Sequence, residues 1–230
     1  MTMDMVLPVH KPSYVIKTLY EDEDCIAFDK PAGLLVIPTA KNEPTTLVSI
    51  VNQQHQGGPH LYPAHRLDRD TSGVILFAKG KRNRAILMQA FQEKKVKKTY
   101  LTFVQGSLQA SVGKIRIPIK DFYQRKFQKN IPAQSALTLY KVIDYRRDYT
   151  VVEVNPITGR TNQIRIHFVQ LGHPLVGEDK YAFRKDFALR FRRIALHAAQ
   201  LSWPHPVKGT YVSVKAPLPE DMSNFLEKNI

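Results

Sequence analysis

Hydrophobic and polar positions first alternate in two short runs, 15–19 and 25–29, on either side of the acidic stretch Glu21-Asp22-Glu23-Asp24. Period-two alternation broken by polar turn residues predicts a β-hairpin with a solvent-facing turn. Thr45 or Thr46 is placed to cap a helix running to about Gln54, which Gly57-Gly58-Pro59 ends. The unbroken apolar run 74–78 reads as a buried strand, and a helix follows near 83–93. Further strands are predicted at 98–104, 136–144, 150–155, 196–201 and 210–215, with strand-like pieces at 114–119. Thr161 reads as the cap of a helix running towards Leu171, and Pro219-Glu220-Asp221 opens a short last helix. Strands outnumber helices and do not alternate regularly with them, which predicts an α+β fold around a mostly antiparallel or mixed sheet. One domain over 15–230, preceded by an arm at 1–14, is the expected organisation.

Charge narrows the class of partner. Lys and Arg number 34 against 20 Asp and Glu, a net +14, which favours a polyanion such as RNA, DNA or an anionic membrane. No run of about 18 apolar residues exists to span a bilayer, and the first thirteen residues lack the pattern of a signal or transit peptide. A cytosolic nucleic-acid binder, with no membrane role, is therefore expected. Half of the net charge falls between 79 and 98, where Lys79, Lys81, Arg82, Arg84, Lys94, Lys95, Lys97 and Lys98 face only Glu93. Arg184, Lys185, Arg190, Arg192 and Arg193 make a second basic cluster, and 120–129 a basic, polar insert. One such run is commonly a solvated face, whereas two in one chain favour a surface that tracks phosphates. The single cysteine, Cys25, lies in an apolar run and is expected to be buried and chemically idle.

The segment most informative about chemistry is His65-Arg66-Leu67-Asp68-Arg69-Asp70-Thr71-Ser72-Gly73, directly before the buried strand at 74–78. In an extended piece Arg66 and Asp68 project to one side and Leu67 to the other, so the core anchors the leucine while the charges face a cleft. Asp70, Thr71 and Ser72 read as turn residues capping backbone donors.

That nine-residue run resembles the signature of the RluA-type pseudouridine synthases. Asp29-Lys30-Pro31-Ala32-Gly33-Leu34-Leu35-Val36 is similar to the family's Lys-Pro-x-Gly segment, and Lys98-Thr99-Tyr100 to its Lys-x-Tyr strand. Thr158-Gly159-Arg160-Thr161-Asn162-Gln163-Ile164-Arg165-Ile166-His167 resembles another family block, as do Gly172-His173-Pro174-Leu175 with Gly177, Asp179 and Tyr181, then Leu196-His197-Ala198 and His205-Pro206. The likeness extends over about 19–217.

The resemblance implies the synthase catalytic fold, a sheet flanked by helices and loops around a cleft. It also implies the reaction: uracil leaves C1′ of a uridine in rRNA or tRNA, turns, and is rejoined through C5. Breaking that bond builds positive charge at C1′, which an ionised carboxylate can stabilise or attack. The resemblance gives this task to Asp68, places Arg165 beside it, and makes Tyr100 the aromatic that stacks on the base and helps remove the C5 proton. Arg66 corresponds to the residue that enters the space left by the extruded nucleotide. Leu67, Ile164 and Ile166 become pocket walls, and Arg160 and Asn162 RNA contacts beside the basic cluster. Asn162 departs from the family, which commonly has His there, so a titrating group at that position is excluded.

No cofactor is implied, and the eight histidines show no metal-ligand spacing; His65, His167 and His197 read as structural or RNA-contacting. About 14 residues precede the first strand, too few for the small S4-like domain of many relatives, so the catalytic domain, expected to act as a monomer, has to select its own uridine. Two rival readings exist. A non-catalytic RNA-binding module leaves Asp68 among cations unexplained, and a glycosidase needs a second carboxylate better placed than Asp70.

Overall fold

The structure, a computed structural model, describes residues 15–120, 132–182 and 189–229. The arm at 1–14, most of the insert at 120–129, and Arg184 and Lys185 lie outside the described residues.

β1 (Lys17–Glu21) and β2 (Cys25–Lys30) form the expected antiparallel hairpin. Its turn departs from the expectation: Asp22 faces inward, accepting from the Tyr20 hydroxyl, from the backbone N–H groups of Asp24 and Cys25, and from His205 Nε2 at 2.8 Å. α1 (Leu47–Gln54) begins with a capping box, in which the Thr46 hydroxyl and the Ser49 hydroxyl each accept the other's backbone N–H. β3 (Leu61–Pro63) and β4 (Ser72–Lys79) follow, then α2 (Lys81–Gln92) and β5 (Lys97–Gln105). β6 (Val112–Ile115), β7 (Thr138–Tyr145) and β8 (Tyr149–Pro156) make an antiparallel meander.

α3 (Gln163–Gln170) starts differently from the prediction. Asn162, not Thr161, is the capping residue; it sits at φ 53° in the left-handed region and makes no side-chain cap bond. The helix entrance is held by Gln163, whose Oε1 accepts from the Thr158 hydroxyl at 2.7 Å and the Arg160 N–H at 3.0 Å. β9 (Leu196–Pro204), β10 (Tyr211–Lys215) and α4 (Glu220–Lys228) complete the chain, with Glu220 and Asp221 in the first turn of α4, where they complement its dipole.

Among the described residues the ten strands form one sheet, ordered β1-β2-β4-β9-β5-β8-β7-β6, with β3 added to β4 and β10 to β9. Every pairing is antiparallel except β4 with β9, a parallel junction of two pairs, Ser72↔His197 and Gly73↔Ala198. Gly73 has φ +109°, and a Cβ there would lie 2.3 Å from the Ala198 carbonyl oxygen, so only glycine permits this approach.

Each helix seals one apolar cluster. α1 covers Phe28, Ile75 and Phe77; α2 covers Leu76 and Trp203; α3 covers Val104, Val152 and Val154; α4 covers Phe103, Tyr149 and Val151. Alternate residues of β4 thus enter two different clusters, which is why its sequence is apolar without alternation. Tyr100 of β5 touches both the α1 and the α3 clusters, so it stands where the two halves of the sheet meet.

Candidate active site

The strand β4 is approached through an extended segment after β3. Leu67 is buried in the α1 cluster, and the alternation of extended backbone then turns Arg66 and Asp68 the other way, into a cleft. Two buried cations fix the segment's backbone. Lys30, fully buried at the end of β2, donates all three ammonium hydrogens, to the carbonyl oxygens of Pro31 (2.8 Å), Arg69 (2.9 Å) and Thr71 (2.9 Å). Burial pulls its pKa down to about 7, with the charge of Asp70 opposing. Arg193 donates to the Asp70 carbonyl at 3.1 Å and is itself held by Asp221 at 2.7 Å. Ser72, expected to cap a backbone donor, instead bonds the His197 Nδ1 at 3.0 Å, while the Thr71 N–H closes the turn on the Asp68 carbonyl at 3.1 Å.

Two cavities meet along this segment. One, of about 370 Å³, runs under Leu35 to Thr39; the other, of about 690 Å³, opens between α2 and the loop leading to α3. Both are lined by Arg66, Leu67, Asp68, Asn162 and Arg165, and the larger also by Tyr100, Lys98 and Ile164. Asp68 is half-buried, and burial holds its carboxyl above the ordinary carboxylate range, an effect that Arg165, Arg66, Lys180 and Lys30, in that order, only partly offset. Burial, joined by the charge of Asp68, also raises the Tyr100 phenol.

Arg165 is no surface arginine. It is buried, and its Nε and Nη2 each donate at 2.7 Å to the two oxygens of Glu178, itself buried, while Nη1 donates to Asn162 Oδ1 at 3.3 Å. Asn162 in turn donates to the Tyr181 hydroxyl at 2.9 Å, and the Tyr181 ring lies 5.2 Å from the guanidinium carbon. Arg66 is exposed at the cleft, with no ion pair to Asp68 or Asp70 within 4 Å among the described residues.

The expected pocket and RNA-contacting residues divide. Leu67 and Ile164 line the cleft, but Ile166 does not: it packs in a separate cluster with Ile119 and Ala136, because residues two apart on a helix point to opposite sides. Arg84, Lys94, Lys98 and Arg160 line the larger cavity. Lys98 is half-buried there, its ammonium donating to the Thr158 carbonyl at 3.3 Å, and burial lowers its pKa to about 8. The remaining basic positions lie outside the cavity: Lys79 pairs with Glu21 at 2.7 Å, Lys95 with Glu93 at 2.6 Å, Lys97 lies 5.9 Å from the Tyr211 ring centre, and Lys81 and Arg82 are exposed. Arg193 leaves the second basic cluster altogether, its charge turned inward. Lys30, Glu178 and Arg193 are the site residues that no motif role had singled out.

His65 and His167 are held by bonds within the fold. His65 Nε2 accepts the Leu76 N–H at 3.1 Å, and burial, with Lys98 nearby, drives its pKa down to about 3. His167 bridges Thr138 and the Ile117 carbonyl. Asp22, Cys25 and His205 lie close enough together to suggest metal ligands, but His205 Nδ1 accepts two backbone N–H groups, from Val207 and Lys208. Nε2 therefore carries the proton and donates it to Asp22, so this trio is a latch between hairpins. Cys25 is fully buried, and burial raises its thiol to about 12.

Comparisons with known proteins point one way. The profile described as RNA pseudouridylate synthase matches residues 24–170. The chain is 38% identical over 203 residues to the dual-specificity RNA pseudouridine synthase RluA of Pasteurella multocida, covering 86% of this chain and 91% of that protein. It is 34% identical over 226 residues to the ribosomal large subunit pseudouridine synthase D of Buchnera aphidicola, covering 91% and 72%. The solved structure of human RNA pseudouridylate synthase domain containing 4 superposes with a TM-score of 0.75 at 23% identity, over 92% of both chains, a likeness of fold.

Proposed function

This chain belongs to the RNA pseudouridylate synthase family, and from that membership we propose that Asp68, Tyr100 and Arg165 carry out the isomerisation of uridine in structured rRNA or tRNA. The C1′–N1 bond breaks, uracil turns, a C1′–C5 bond forms, and the proton lost from C5 is balanced by one gained at N1, so the product has the mass of the substrate. The Asp68 carboxylate meets the positive charge developing at C1′, either by bonding to that carbon or by taking a neighbouring sugar proton. Arg165 favours the carboxylate form. Tyr100 stacks on the base and assists loss of the C5 proton, and Arg66, exposed at the mouth, fills the gap left by the extruded nucleotide. Leu67 and Ile164 keep water from C1′, since hydrolysis there leaves an abasic site. Arg84, Lys94, Lys98, Arg160 and Asn162 hold the RNA backbone around the opening.

The observation that carries this reading is the convergence of Asp68, Arg66, Arg165 and Tyr100 on one cavity from separate parts of the chain. We take 15–230 as one catalytic domain, in keeping with the continuous sheet, acting as a monomer in the cytoplasm. Among the described residues no helix is long and apolar enough to cross a membrane. The test uses unmodified rRNA and tRNA transcripts labelled with tritium at uridine C5. Wild type releases tritium and yields carbodiimide-reactive pseudouridine, whereas Asp68→Asn binds RNA and releases none. Release of free uracil marks a glycosidase instead, and full turnover by Asp68→Asn removes the carboxylate from the mechanism.

A further inference from the structure

α2 presents two faces. Leu87 and Ala90 are buried in the cluster beneath it, whereas Arg84, Met88, Phe91 and Gln92, at the i, i+4, i+7 and i+8 spacing of a single helical stripe, line the larger cavity. Met88 and Gln92 are exposed, and the half-buried Phe91 ring stacks on His65 with 4.6 Å between ring centres. Ile157, from the loop leading to α3, lines the same cavity. The polar groups of this stripe are left unused by the fold. The Arg84 guanidinium carbon stands 5.7 Å from the Tyr62 ring centre, and its Nε is buried with no hydrogen-bond partner among the described residues. The Gln92 amide and the Lys94 ammonium make no hydrogen bond or ion pair among the described residues. Lys94 also has φ +59° where α2 ends, its N–H and that of Lys95 turning back to the carbonyls of Phe91 (3.1 Å) and Ala90 (2.9 Å). Glycine makes that turn without strain, so a lysine there costs stability, and such strain collects at binding sites.

On these observations we infer that the α2 side of the larger cavity is a second base site: it takes one nucleotide close to the target uridine in the same RNA. That base stacks on Met88 and Phe91, Gln92 bonds its edge, and Arg84 and Lys94 hold its phosphates. The inference rests on the reading of the chain as a uridine isomerase whose target lies between Asp68 and Tyr100. That uridine occupies one end of a cavity of about 690 Å³, which leaves the α2 end for a neighbour. Among the described residues that line the cavity, Asp68 is the sole carboxylate, so the α2 end is cationic and suits an anionic chain. A surface that only follows phosphates has no use for an exposed methionine beside an aromatic ring. Apolar faces interleaved with cations are the combination that grips an unpaired nucleotide, through its base and its backbone together. Gln92 can both donate and accept, which makes it the side chain able to read the identity of that base.

The test starts from the rRNA or tRNA transcript that wild type modifies, with the uridine located by carbodiimide, rebuilt as a short fluorescent RNA around that uridine. Single bases are removed in turn from the two positions on either side, with the backbone left whole. Affinity is read by anisotropy in the Asp68→Asn protein, so that binding is measured apart from turnover. Removal of one of these bases is expected to weaken binding about fivefold or more, the contribution of one stacked base. Met88→Ala and Phe91→Leu, each added to Asp68→Asn, are expected to cost a similar factor on the intact RNA and nothing further on the RNA that lacks that base. Lys94→Gly is expected to melt no lower than its parent, because the strain is gone, yet to bind both RNAs more weakly. A helix that only props the cavity gives equal losses on the two RNAs and a lower melting temperature. Met88 is exposed, so Met88→Ala decides the matter if Phe91→Leu does not fold. Equal losses from Met88→Ala on both RNAs, or no neighbouring base whose removal matters, overturn this inference alone. A chain that modifies no uridine in either transcript sinks the catalytic reading and the second site with it.

Discussion

Replacing Lys30 with methionine removes the clamp under the Asp68 segment while keeping the length of an unbranched side chain. Three buried carbonyls, of Pro31, Arg69 and Thr71, then face an apolar group. Bonds from a charged donor contribute about 1.5–3 kcal/mol each and burying an ammonium costs several kcal/mol, so losing the first and relieving the second leaves a net loss of about 3 kcal/mol. At about 2–4 °C per kcal/mol for a chain of this size, the melting temperature falls by about 6–12 °C. The sign of the pH dependence follows from the same burial. Lys30 is held near 7 in the folded protein against an ordinary 10.5, so between those values the unfolded chain binds this proton more firmly. Stability at this position therefore climbs as pH rises from about 7 towards 10, and Lys30→Met flattens that climb. Thermal unfolding followed by circular dichroism at pH 7, 8 and 9 measures both effects, with tritium release at permissive temperature reporting the looser Asp68 segment. A variant that melts within about 2 °C of wild type and keeps its pH slope refutes the clamp.

Lys98 is held near 8, so RNA affinity measured by fluorescence anisotropy is expected to weaken as pH rises through that value; Lys98→Arg abolishes the pH dependence, and Lys98→Met lowers the slope of log affinity against log salt by about 0.9. Gly73→Ala drives a methyl into the Ala198 backbone at the β4–β9 junction and is expected to lower stability by about 3 kcal/mol or more, read from urea unfolding; a loss below about 1 kcal/mol contradicts the close approach described here.

How far the sequence reveals this molecule depends on the distance over which each feature is encoded. β4 and α2 are legible because their apolar patterns are local and long. β3 is not, since three residues ending in Pro63 give no alternation to detect. α3 has buried residues on nearly every side, so it offers no amphipathic stripe, and its entrance depends on a left-handed Asn162 that a capping rule passes over in favour of Thr161. Asp68 and Arg66 stand out as charges alternating with a buried leucine. Glu178 does not, because its partner is thirteen positions away and the fork exists only in three dimensions. The basic run after Lys79 reads as one surface, but neighbours such as Glu21 and Glu93 pair with parts of it, and the larger cavity draws in only Arg84, Lys94 and Lys98.

Among the described residues β9 is the ninth strand in chain order, yet it sits inside the sheet, between β4 and β5. Until residues 196–204 leave the ribosome, the nascent chain holds two unjoined partial sheets, each with an open edge where β9 will enter. At about 5–20 residues per second, the 48 residues from the end of β8 to the end of β9 take roughly 2–10 s, long enough for exposed edges to recruit chaperones or one another. The cavity between the halves comes into being only with that late insertion, so a stalled or half-made chain has no cleft in which to unstitch a nucleotide.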